Sequence, residues 1–129
     1  MPAERWTTNE EYLVGVDLYN HGYLWEAHES WENLWHPAKG DELQAEFLQG
    51  LIQCTAAALK VRMAQPRGLE RLAALGTARL EKVARSRPSP FPPGTYMGVD
   101  LMSFVAAFRA FAASSPDDAE TRPRLELDT

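Results

Sequence analysis

The sequence predicts an all-α fold: a compact bundle of about five helices, the third central, with a proline-rich connector before the last. Three observations predict it. Apolar residues recur at three- and four-residue spacings along most of the chain. Glycine and proline gather between these runs, where they end helices. No stretch alternates apolar and polar residues as a half-buried strand does. With 129 residues and 45% hydrophobic content, the chain is expected to form a single helical domain over residues 1–113. An acidic tail, mobile or only locally docked, is expected over 114–129.

The first helix begins at Thr8, Asn9, Glu10 and Glu11, a polar cap followed by acids that favour a helix N-terminus. It carries Tyr12, Leu13, Val16 and Tyr19 on one side and stops at Gly22, a residue suited to a left-handed C-terminal cap. A second helix spans about Tyr23 to Trp35 and ends where His36, Pro37 and Gly40 break the pattern. The third, roughly Asp41 to Ala64, is apolar nearly all round from Phe47 to Leu59. Such a helix is central in a bundle or covered by an oligomer partner, so a homodimer is compatible with it. The fourth runs from about Leu69 to Arg85. Leu69, Leu72, Gly76, Leu80 and Val83 lie on one face, and Arg67, Arg71, Lys82 and Arg85 on the other. Residues 87–94 hold four prolines and read as an extended connector. Asp100 caps a fifth helix whose apolar face is Leu101, Phe104, Val105, Phe108 and Phe111.

Charge is distributed unevenly. Residues 1–59 hold ten acids and two bases, a net of −8; residues 60–87 hold eight bases and two acids, a net of +6. Residues 88–129 hold six acids and three bases, a net of −3. Such a dipole serves a nucleic-acid surface, or it lets the basic segment dock on the acidic one within a chain or between subunits. The single cysteine, Cys54, excludes a disulfide framework and sits mid-helix as an inert core thiol. No run of about 18 apolar residues offers a membrane span. The N-terminus has no apolar h-region, so the expected location is cytoplasmic.

The second helix carries the unusual chemistry. Trp25, Trp31 and Trp35 share it with His28, Glu29 and Glu32, while Glu26, Ser30 and Asn33 form its polar side. With tryptophans facing inward, the three ionisable groups are drawn toward low dielectric and need partners. Gln49 and Gln53, an i, i+4 pair on the third helix with Lys60 two turns on, are the expected partners. A buried network of this kind also serves simply to fix helix register. His28 and Glu32, one turn apart, are spaced to share a metal, with Glu29 as base. His21, His36 and Glu26 are the candidates for a third ligand. No phosphate loop or nucleophile elbow is present.

The segment from Trp25 through His28, Glu29, Trp31, Glu32 and Trp35 resembles the family of domain of unknown function 309 (DUF309). So do the block from Phe47 to Gln53, the small residues Ala56–Ala58, Gly68, Leu69, Arg71, Leu72, and the run from Gly98 to Leu101. The resemblance covers roughly residues 9–112. It implies a small all-α bundle and no defined activity, and it marks Glu26, His28, Glu29, Glu32, Gln49 and Gln53 as the family's polar residues. The chain departs from many relatives at Gln44, Ala45 and Glu46, where they carry a base, and near Lys60, where they carry a histidine.

The expected function is a small-ligand or interaction module with Trp25, His28, Glu29, Glu32, Gln49 and Gln53 as ligand-binding residues. An alternative is a metal-assisted or acid–base hydrolase using His28, Glu29 and Glu32. Another is a nucleic-acid binder acting through the fourth helix, disfavoured because its basic face lacks interleaved aromatics. No cofactor is named by the sequence.

Overall fold

The computed structural model describes residues 2–128. Five α-helices dominate them: α1 (Glu10–Asn20), α2 (Leu24–Trp35), α3 (Glu42–Arg62), α4 (Pro66–Arg85) and α5 (Leu101–Ala113). Short 3-10 turns occupy Ala3–Thr8, Pro37–Gly40 and Ala119–Thr121. The caps are those the sequence marks. Asn9 Oδ1 accepts from Tyr12 N at 3.1 Å, Asp41 Oδ1 from Gln44 N at 3.1 Å, and Asp100 Oδ1 from Ser103 N at 3.2 Å. The fourth helix starts three residues earlier than expected, because Pro66 lacks the N–H that the first turn leaves unpaired and its fixed φ suits that position.

The all-α expectation needs one addition. Thr95–Tyr96 and Val99–Asp100 pair as a two-residue antiparallel hairpin just before α5. Its turn residues, Met97 (φ 47°) and Gly98 (φ 83°), take the left-handed pair of conformations that tight hairpins favour. Two residues are too few for alternation to register in a sequence. Gly98 also lets the Trp6 indole approach, since a Cβ there would lie 2.6 Å from that ring.

Helix α3 is central. It packs along α4 and α2, α1 packs on α2, and α5 on α4. The apolar circumference of α3 is thus met within the chain, by its own neighbours. Phe47, Leu48, Leu51, Ile52, Ala57 and Ala58 are all buried. Helices α3 and α4 approach backbone to backbone at Gly50 and Gly76, where a Cβ on Gly76 would lie 2.9 Å from the Gly50 carbonyl oxygen. Helix α1 approaches α2 at Gly15, where a Cβ would lie 2.8 Å from the Trp31 ring.

The C-terminal segment is locally docked. Residues 114–128 are not left loose: Ala119 and Leu125 are buried, and Val99 bridges to Leu127. Asn20 holds Leu125 through both its backbone N–H and its carbonyl, each at 2.8 Å. Tyr19 Oη donates to Pro123 O at 2.7 Å. Arg122 is buried, lies over the Tyr19 ring at 4.9 Å and donates to the Tyr19 and Ala119 carbonyls. Acidic composition hid these few anchors, which are spaced too widely to form a periodic pattern. Arg122→Met is expected to cost about 1–3 kcal/mol through lost charged hydrogen bonds. It should also speed amide hydrogen exchange over 119–127 while the exchange of α3 amides stays slow.

Candidate functional site

The α2 constellation is divided by the structure. Of its three tryptophans only Trp31 points into the core, fully buried beside Tyr12 at 5.8 Å between ring centres. Trp25 is 60% exposed and Trp35 is half-buried. The premise that the tryptophans draw the ionisable groups inward therefore fails for two of three. At 100° per residue Trp25 and Trp31 stand about 120° apart, so one rotation of α2 does not bury both.

What forms on α2 is a surface relay. Trp25 stacks on the His28 imidazole, with ring centres 5.8 Å apart and planes 8° from parallel. His28 Nε2 lies 3.6 Å from Glu32 Oε1, and Glu32 is about half exposed. Glu29 and Glu26 face solvent. Among the described residues no hydrogen bond or ion pair joins His28, Glu29 or Glu32 to Gln49 or Gln53. Nor do three His, Cys, Asp or Glu side chains gather anywhere among them to hold a metal. His21 instead engages the Asp17 carbonyl at 2.8 Å, and His36 leans on Trp35 with ring centres 5.1 Å apart.

The amides of α3 turn toward α4. Arg79 Nε donates to Gln53 Oε1 at 3.0 Å, and Arg79 Nη1 donates to Glu46 Oε1 at 2.7 Å. Lys82 Nζ approaches the other Glu46 oxygen at 3.5 Å. Glu46, Gln49 and Gln53 share a strip about 60° wide on α3. Gln49 lines a hollow of about 420 Å³ where α2 ends, together with Trp35, Lys39, Glu42, Glu46, Arg79 and Lys82. Lys39 Nζ sits 4.4 Å from the centre of the Trp35 ring, a cation–π contact that holds both walls. Three cations face two carboxylates there, and Glu46 is already the acceptor for two of the cations.

A second hollow, of about 460 Å³ between α4 and α5, has alanines as four of its ten lining residues. Its one strong donor, Arg109, is held by Thr77 at 3.2 Å and Glu81 at 3.2 Å, leaving little chemistry for a ligand. That pairing holds the Glu81 carboxyl below its usual range, through the Arg109 hydrogen bond first. Cys54 is buried and its thiol is pushed up by burial, so it stays protonated and unreactive.

Residues 12–72 match the model of the domain of unknown function DUF309. The chain carries a DUF309 domain. The match runs from α1 into the first third of α4, so the α2–α3 pair lies wholly inside the DUF309 region, while the hairpin and α5 lie beyond it. No curated protein and no solved structure matches the chain. Among the described residues no helix is long and apolar enough to cross a membrane.

Sequence reading missed Arg79 as the partner of Gln53, and Trp35, Lys39 and Lys82 as residues that line one hollow with Gln49. One signal was available: Glu46 extends the Gln49–Gln53 strip, and Arg79 lies at the edge of the α4 polar arc that such a strip would face.

Proposed function

We propose that this DUF309 protein is a small-ligand binding module whose site is the hollow where α2, α3 and α4 meet, and whose ligand is a small organic anion. One observation carries the reading: Trp35, Lys39, Gln49, Arg79 and Lys82 line a single concavity of ligand size. Lys39 and Lys82 supply charge, the Gln49 amide supplies a donor of fixed direction, and the Trp35 indole supplies an apolar wall. Arg79 is the organiser, because its two bonds to Gln53 and Glu46 lock the floor before anything binds. Gln53 acts through Arg79. His28, Glu32 and Trp25 fall with Trp35 in an arc of about 80° on α2, so they are the residues through which a larger ligand would extend along that helix, and Glu29 lies about 120° from Trp35.

A hydrolase reading gains no comparable support. His28 and Glu32 supply two donor groups, and no third joins them among the described residues.

Calorimetric titration with citrate and with benzoate, an aliphatic and an aromatic carboxylate, tests the proposal. Saturable binding of at least one is expected, weakened about tenfold or more in Lys39→Met and in Gln49→Leu, as the loss of one charged or directed hydrogen bond implies. Absence of binding by both probes at millimolar concentration, or wild-type affinity in both variants, would overturn it.

A further inference from the structure

The helices at the two flanks of α3 carry opposite charge on their outer faces. On α4, Arg67, Arg71, Leu75 and Arg85 fall within about 80° of arc, opposite buried Leu69, Leu80 and Val83. Arg67 and Arg71 form no ion pair among the described residues, and Leu75 is 41% exposed in their midst. On α2, Glu26 and Glu29 project outward without ion pairs, beside Trp25 and next to the 58%-exposed Tyr23. Within the chain these faces do not meet, because α2 and α4 each pack on α3.

We infer that the outer face of α4 docks on the outer face of α2 in a second copy of this chain. The two surfaces are complementary in charge and in chemistry. A guanidinium pairs with a carboxylate and stacks on an indole or phenol, and the α2 face offers both kinds of partner side by side. Leu75 supplies an apolar centre between the α4 charges, opposite an exposed aromatic pair. A polyanion is a poorer fit for α4: the chain as a whole is at −5, and no aromatic interrupts the basic face to stack on a base. Because the two faces flank α3 on separate sides, one contact leaves the partner's complementary face open. The association is therefore head-to-tail, and it continues from copy to copy until it closes or is diluted away.

Charge exchange tests this. Sedimentation velocity of the wild-type chain at low salt should show a mass rising with concentration above the 14.5 kDa of one chain, and falling back as salt is added. The double variant Arg67→Glu with Arg71→Glu has two acidic faces, and Glu26→Lys with Glu29→Lys has two basic ones. Each should sediment as a monomer with an unchanged Tm, since all four positions are exposed. Mixed together they should associate again, the acidic α4 of one on the basic α2 of the other. A wild-type chain that stays monomeric at every concentration in low salt overturns the inference. So does failure of the mixture to associate, and so does retention of an oligonucleotide by a monomeric wild type that the Arg67/Arg71 variant loses.

Discussion

Gly76→Ala is expected to destabilise the protein although alanine is the better helix former. Propensity favours the change by about 1 kcal/mol. Against it, the new methyl carbon would lie 2.9 Å from both the Cys54 backbone nitrogen and the Gly50 carbonyl oxygen, and 2.8 Å from the Cys54 sulfur. Two of these are backbone atoms of α3, which cannot rotate aside. The helices must separate along their longest shared interface, and overpacking of that kind costs about 1–3 kcal/mol or more. The net loss should appear as a Tm lower by several degrees. Gly50→Ala should cost less, because its nearest obstacle is the movable Leu80 side chain at 2.7 Å. Gly40→Ala, with nothing within 4 Å, should be nearly neutral. A thermal-melt series in which Gly76→Ala equals Gly40→Ala would contradict the close packing of α3 on α4.

Raising the pH should unfold the protein steeply. Tyr12, Tyr19 and Tyr96 are all buried, and burial pushes each phenol above its usual value. Tyr12 donates to the Met97 carbonyl at 2.8 Å and Tyr19 to that of Pro123, so both need their protons. The unfolded chain releases phenolic protons near pH 10 and the folded one does not, so the unfolded state binds fewer protons there and stability falls as pH rises. The stabilisation is complete below the unfolded value and is lost on the way up to the folded ones. Each phenol contributes about 1.4 kcal/mol per pH unit, so three give about 4 kcal/mol per unit above roughly pH 10. A domain of ordinary stability, about 5–15 kcal/mol, does not survive many such units. Cys54, also raised by burial, should begin a shallower decline near pH 8.5. Denaturant midpoints measured against pH check this. Tyr19→Phe should reduce the alkaline slope by one proton's worth, and an unchanged slope would show that Tyr19 ionises freely in the folded state.

Most of the bundle was legible in the chain. Asn9, Asp41 and Asp100 cap the helices that follow them, because a cap is a local bond across three residues. The apolar face of α4 and the burial of α3 follow from spacing alone. The site was less legible. His28, Glu29 and Glu32 were grouped with Gln49 and Gln53 because the two segments share chemistry, yet no bond joins the two sets. Whether Gln53 faces α2 or α4 depends on how α3 is rotated, and that rotation is set by Gly50 meeting Gly76. The capture of the C-terminal segment depends likewise on where Asn20 and Tyr19 lie once α1 has packed.

The sequence by itself determined five helices, most of their ends and the inward faces of α1, α3, α4 and α5, since each rests on residues within a turn or two of one another. Only the tertiary structure decided which polar groups meet: Arg79 reaches Glu46 across 33 positions and Gln53 across 26. Such pairings are selected by helix rotation and crossing, which the packing of small residues fixes and periodicity does not encode.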